Sequence, residues 1–245
     1  MSRRYGVSRY TNNTKYCVER LPQTYYVMAH PMGELSVKRL KLDLSTLRIE
    51  ALTDGVFAIA MTLLVLNFEV PNPLEGKGAF ELHHTLRRLW PNFLHYAISF
   101  LLLSIFWIKS HQQYHFIKRS DQRLLWLSLM SLFFICLLPF TTSLVSDYGN
   151  MPVAAIVFEA NLLAAGAAFH LQWLYATRDK HLVDANLDTR VVVAYRRSSL
   201  VVPLVSIAAI AVSIFHPRLG TGFYFLVPFM LIYIKRGITS GAEAQ

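Results

Sequence analysis

The chain has 245 residues, 54% of them apolar and only 16% charged, with a net charge of +9 and a mean hydropathy of +0.36. The apolar residues come in long uninterrupted runs, where an ordinary soluble domain intersperses roughly 25% charged residues among shorter ones. A soluble enzyme, a fibrous repeat and a solvated low-complexity chain are thereby excluded, since the 11 glycines and 10 prolines are scattered; the class is an all-α polytopic membrane protein.

Residues 1–47 form a polar, basic tail, and its first twenty residues lack the apolar core of a cleavable signal peptide. Its last stretch, residues 35–47, interleaves apolar residues with Lys38, Arg39 and Lys41. It is expected to be disordered like the rest of the tail or to form a short interfacial helix. Ser45 or Thr46 then serves as N-cap of the first long apolar run. That run covers residues 49–70 and is closed by Pro71 and Pro73. Five more follow, over 89–108, 124–146, 152–175, 199–215 and 219–234.

A helix needs about 20 residues to cross roughly 30 Å of hydrocarbon, so the first four runs cross comfortably and the last two are shorter. Only His216, Pro217 and Arg218 separate those two, which makes them an antiparallel hairpin. The period-two alternation of a barrel is absent. The expected organisation is a tail over 1–47, a six-helix domain over 48–236 and a second tail over 237–245. Of the 24 Lys and Arg, twenty fall before residue 49, in 109–123, in 178–197 and at Lys235 and Arg236. The other four are Lys77, Arg87, Arg88 and Arg218, on the opposite side. The positive-inside rule therefore puts both termini in the cytoplasm, the chain being multi-pass.

Basic residues that flank apolar runs set topology, and nucleic acid is not an expected partner. Cys17 and Cys136 make no disulfide framework. His83 and His84 are adjacent, so their side chains diverge and no metal is expected. With no Gly-rich phosphate cradle and no paired carboxylates at catalytic spacing, neither an enzyme nor a cofactor is indicated.

Polar residues at membrane depth need a partner or water. Arg48, Glu50, Thr53 and Asp54 crowd the first turns of the first run. For Asp54 two readings stand, a carboxylate favoured by the helix amino terminus and a group bound by another helix. Ala51 with Gly55, and Ala58 with Thr62, form small-residue ridges that a neighbouring helix can approach closely. Ile59, Leu63 and Leu66 remain as a stripe on the other side, which by spacing alone reads as core or lipid contact. Glu159 lies about 10 Å into the fourth run at 1.5 Å per residue, close to Asn161, and reads as a buried hydrogen-bonding group or a proton relay. His170 and Gln172 approach the solvated interface. Residues 164–168, Ala-Ala-Gly-Ala-Ala, form a packing face. No repeat relates the first three runs to the last three, against an inverted-repeat transporter.

The spacing of Arg48, Thr53, Asp54, Gly55, Phe57, Ala58, Ile59, Thr62, Leu63, Leu64, Val65 and Leu66 resembles the first-helix signature of the transmembrane protein 175 family of endolysosomal and prokaryotic potassium channels. Trp107, His111, Phe116, Arg119, Asp121 and Pro139 are similar to its second and third helices. The resemblance runs from about 48 to 236, and residues 1–47 match nothing in it. Leu52 replaces a usual aromatic, Thr53 a usual Ser, and Asn67 an acidic residue often found near the outer end, with Glu69 two residues on.

The resemblance implies a homotetramer of six-helix subunits in the plasma membrane, with the first helices lining a central pore. Ile59, Leu63 and Leu66 would form an apolar constriction that gates by dewetting, with selectivity set by its width and hydration. No Thr-Val-Gly-Tyr-Gly filter sequence occurs. Thr62 and Asn67 would be the polar pore-lining residues, Thr62 either offering an oxygen to an ion or returning a bond to its own backbone. Arg48, Thr53, Asp54, Trp107 and His111 would brace the cytoplasmic end of the first helix. The implied function is a passive potassium-permeable channel, its partners potassium ions, the lipid bilayer and further copies of the chain. The alternatives are a proton channel or proton-coupled transporter using Glu159 and Asp54, and a scaffold without flux.

Overall fold

The computed structural model describes residues 28–29, 35–36, 46–66, 87, 89–180, 182–184 and 187–243. The chain divides into two compact units, Met1–Asp43 and Leu44–Gln245. In the first, two short strands, β1 (Met28–Ala29) and β2 (Leu35–Ser36), pair antiparallel with Met28 opposite Ser36. Leu35 and Ser36 therefore do not begin an interfacial helix. Leu35, Ser36, Val37 and Lys38 alternate apolar with polar, which is the period of a strand. The remainder of that stretch up to Ser45 lies outside the described residues.

The second unit is helical: α1 (Thr46–Val65), α2 (Trp90–Phe116), α3 (Gln122–Asp147), α4 (Pro152–Thr177), α5 (Thr189–Ser199), α6 (Val201–Ser213), α7 (Pro217–Gly222) and α8 (Leu226–Glu243). Among the described residues, four stretches are long and apolar enough to cross a membrane, Trp90–Phe116, Gln122–Asp147, Pro152–Thr177 and Thr189–Ser213, and Leu219–Ile234 is a shorter apolar one. α1 has 20 residues and carries Arg48, Glu50 and Asp54 in its first three turns. Local chemistry starts each helix. Pro91 and Pro152 sit in the first turns of α2 and α4, where a missing N–H costs nothing. Asp121 caps α3 by accepting from the Leu124 N–H at 2.8 Å, and Asp188 caps α5 by accepting from that of Arg190 at 2.8 Å.

α4 is the central helix, packed most extensively on α3 and next on α6, while α1 rests on α2 and α3. A Cβ on Gly166 would lie 2.8 Å from Pro203 Cδ, so α4 and α6 approach through a position that only glycine fills. Phe57 of α1 and Phe106 of α2 both pack on Phe169 of α4, with ring centroids 6.4 and 5.3 Å away. This aromatic contact ties three helices at the level where α1 leaves its polar end.

The last third departs from the sequence reading. A loop was expected up to residue 197, but helix begins at Thr189. α5 is amphipathic: Trp173 Nε1 donates to the Val192 carbonyl at 3.2 Å and Tyr195 packs on Phe116 and Trp173, while Arg190, Arg196 and Arg197 stay exposed. Averaged hydropathy conceals such a helix because its two faces cancel. α5 and α6 part at Leu200, three residues before Pro203, which has no N–H for the Ser199 carbonyl. The final run is likewise broken, by a 3-10 turn over Phe223–Phe225, since Pro228 cannot donate to Tyr224. Past residue 236, α8 continues as helix to Glu243.

Candidate functional site

α1 presents one buried stripe, Ile49, Thr53, Phe57, Ala60 and Leu64, at the four-and-three spacing of a helix face. Ala51, Gly55, Ala58 and Thr62 are all exposed, and nothing lies within 4 Å of where a Gly55 side chain would begin. The small-residue ridge thus points away from the core, and among the described residues no helix of the same chain covers it. Ile59, Leu63 and Leu66 are 61%, 43% and 73% exposed. They do not lie opposite the ridge as the sequence reading had it. At 100° per residue the row adjoins the ridge, about a fifth of a turn away, and both stand clear of the buried stripe. The ridge itself, as the larger gap in packing, takes the side facing away from the core.

Thr62 Oγ1 donates to the Ile59 carbonyl at 2.8 Å, so the backbone bond is the one realised; the hydroxyl oxygen keeps its lone pairs. Asn67, Glu69, His83 and His84 lie outside the described residues.

At its polar end α1 is held by α2. Trp107 Nε1 donates to Asp54 Oδ1 at 2.9 Å, and His111 Nδ1 lies 3.6 Å from Glu50 Oε1. The indole and imidazole are one turn apart on α2 and stack with centroids 6.1 Å apart. Asp54 is therefore bound by another helix, and capping does not describe it. Arg48, expected in this network, has an exposed side chain with no hydrogen bond or ion pair among the described residues. At the start of α1 it points off the surface that meets α2, and Glu50 is the charged partner in its place.

A second network lies deeper, and sequence reasoning missed most of it. Thr53 Oγ1 donates to the Ile49 carbonyl at 2.8 Å and lies 3.5 Å from the Tyr114 hydroxyl. That hydroxyl donates to Ser128 Oγ at 3.2 Å and accepts from Gln172 Nε2 at 3.2 Å, while Ser131 Oγ lies 3.5 Å from Gln172 Oε1. One side chain from each of α1, α2 and α4 and two from α3 thus meet in a buried cluster. Gln172 is fully buried instead of solvated at the interface. The segment after α4 folds back over this end of the bundle: Lys118 N and Arg119 N both bond to the Leu182 carbonyl, and Ile117, Leu124, Ala176, Leu182 and Val183 close an apolar plug. The available signal was that Thr53, Tyr114, Ser128 and Gln172 each fall on the buried stripe of their helix.

His170 is also partnered, its Nδ1 2.7 Å from Ser199 Oγ. Glu159 is fully buried and its Oε1 accepts from Ser213 Oγ at 2.6 Å; Oε2 has no partner among the described residues. Of its two readings, the structure holds the buried hydrogen bond. Asn161 Nδ2 donates to the Phe134 carbonyl at 3.1 Å. Asp54 and Glu159 belong to opposite halves of the bundle, since Asp54 is level with the Phe169 contact and Glu159 stands ten residues nearer the start of α4, about 15 Å along it.

Residues 48–139 match the family model described as endosomal/lysosomal potassium channel TMEM175. The chain is 37% identical over 145 residues to a potassium channel of Streptomyces collinus, covering 58% of this chain and 69% of that one. It is 32% identical over 185 residues to a potassium channel of Chamaesiphon minutus, covering 74% and 90%. The human endosomal/lysosomal proton channel TMEM175 is 32% identical over 144 residues, 57% of this chain and 28% of that much longer one. Among solved structures, the lysosomal potassium-selective channel TMEM175 homologue from Chamaesiphon minutus superposes with a TM-score of 0.66 at 30% identity, covering 79% of this chain and 97% of that chain. The matched region carries α1, its bracing partners on α2 and the start of the deep cluster, and the two bacterial relatives are matched over more than two thirds of their length: the chain belongs to the TMEM175 potassium channel family.

Proposed function

We propose that the chain is a passive potassium-permeable cation channel of the cell membrane, a homotetramer in which four copies of α1 surround a central pore. The observation that carries this is the outer face of α1. A small-residue ridge and an apolar row lie side by side on it, uncovered by the described residues of their own subunit. Around an axis, the ridge lets adjacent copies come close, and a turn of about a fifth of the helix brings Ile59, Leu63 and Leu66 toward the axis. Each would contribute one ring, and stacked apolar rings gate by dewetting while their width sets which hydrated cation passes. Thr62 would be the polar group at that level, and Asn67, which follows Leu66 in the sequence, would be the next polar group lining the path. Arg48, without a partner among the described residues of its own chain, would find one across the subunit boundary. The bacterial relatives described as potassium channels support the same reading.

The brace explains why a pore helix with three ionisable residues is stable. Trp107 fixes Asp54, His111 faces Glu50 and the Tyr114 cluster anchors Thr53, so α1 keeps its azimuth and its pore-facing row stays aimed. The excess of Lys and Arg at the α1, α2–α3 and α5 ends supports cytoplasmic termini.

The test is potassium flux through purified protein in liposomes, with the mass of the complex measured in parallel. Reversal potentials that follow the potassium gradient are expected, and Leu63→Ala is expected to widen the constriction, raising conductance and lowering potassium-over-sodium selectivity. Cysteines at positions 59, 63 and 66 that react only with lipid-phase reagents would overturn the pore assignment. Reversal potentials that follow the proton gradient instead would favour the proton reading.

A further inference from the structure

A cavity of about 490 Å³ opens between α2, α5 and α8, a volume within the range of about 300–1,000 Å³ typical of ligand sites. Its walls are mainly Ile105, Ile108, Tyr195, Leu231 and Ile232, and its mouth opens on the helix surface, with Ile108 48% and Ile232 52% exposed. Among the described residues, one cation lines it. Lys109 sits seven residues before the end of α2, about 10 Å along the helix, and its ammonium donates to the Ser198 carbonyl. An ammonium has three donors, and among the described residues no carboxylate lies within ion-pair distance of this one. Lys109 closes the apolar part of α2 and lines this apolar slot, and a cation set against apolar walls without a counter-charge is costly and marks a site. Arg190 and Arg197 flank the same side of α5, both exposed.

We propose that this cavity binds one anionic phospholipid, an acyl chain in the apolar slot and the phosphate on Lys109. The charge decides the class of occupant: an apolar slot ending in an uncompensated ammonium complements a molecule that is greasy along its length and anionic at one end. Basic pockets between membrane helices take such headgroups. A zwitterionic lipid brings its own cation toward Arg190 and Arg197 and is disfavoured. The site is separate from the outer face of α1, so it stands whether or not the channel reading holds.

The experiment is native mass spectrometry of the purified full chain equilibrated with equal amounts of phosphatidylglycerol and phosphatidylcholine. The wild type is expected to retain phosphatidylglycerol preferentially. Lys109→Met should lower that retention about fivefold, the worth of one basic residue near an anionic headgroup, with phosphatidylcholine unchanged, and Lys109→Arg should keep it. Ala194→Phe, which fills the cavity and leaves the charge, should lower it as well and keeps the test decisive if Lys109→Met fails to fold. Lys118→Met, an exposed lysine beyond the end of α2, should change nothing. Equal retention by the wild type and both cavity variants would overturn the proposal. So would a loss in Lys118→Met as large as in Lys109→Met, which would mean a diffuse field, or disulfide cross-linking between copies through Ile232→Cys, which would mean that a second subunit fills the cavity.

Discussion

Tyr114 is the residue on which the most depends for its size. Its hydroxyl is the point where Thr53 of α1, Ser128 of α3 and Gln172 of α4 meet. Tyr114→Phe keeps the ring and deletes one oxygen, leaving the Gln172 amide donor and Ser128 acceptor buried without it. An unsatisfied buried group costs about 1–3 kcal/mol, so a fall in thermal stability of that order is expected. Gln172→Leu should cost a similar amount alone. The double variant should cost clearly less than the sum, because removing both partners leaves fewer orphans; strict additivity in a thermal-denaturation cycle would show that the two do not interact. This cluster was only partly legible. Asp54 and Trp107 could be named from the family resemblance, but which side chain faces which depends on helix azimuth and depth. One sequence leaves both free. Hence Glu50 was passed over for Arg48, and Gln172, polar and near a helix end, was read as solvated although the segment around Leu182 covers it.

Among the elements, the contact of α4 with α6 is the tightest constraint. Gly166 faces Pro203 so closely that one added methyl must push the proline ring, with its Cδ 2.8 Å and Cγ 3.0 Å from the new Cβ. Proline is rigid and cannot swing aside. Gly166→Ala is therefore expected to destabilise by about 1–3 kcal/mol as overpacking, although alanine normally gains up to about 1 kcal/mol over glycine inside a helix. A rise in melting temperature for Gly166→Ala would mean that α6 yields. The apolar runs located most of these helices, since a run of twenty apolar residues has few alternatives in a bilayer. Their ends were harder. α2 continues through Lys109, Ser110, Gln112 and Gln113 to Phe116, because polar residues of good propensity extend a helix beyond its greasy part. The breaks at Leu200 and Phe223–Phe225 came from prolines inside runs that hydropathy treats as continuous.

For the whole molecule, the decisive surface is the one that a single chain leaves uncovered. The sequence revealed that α1 has a small-residue ridge, but not whether the ridge served a helix of the same chain; the position of Ile49, Thr53, Phe57, Ala60 and Leu64 in the core leaves it uncovered by the described residues. A bulky substitution on the ridge therefore separates folding from assembly. Ala58→Trp meets only open surface within the subunit, so circular dichroism should report unchanged helix content. Between subunits the same ring would hold neighbouring α1 helices apart, so the mass of the complex should fall below four chains and potassium flux should disappear. Leu63→Ala makes the complementary case, since it spares the ridge: the tetramer should persist while conductance rises. If Ala58→Trp instead leaves both mass and flux intact, the ridge faces acyl chains, and four copies of α1 do not enclose the path of the ion.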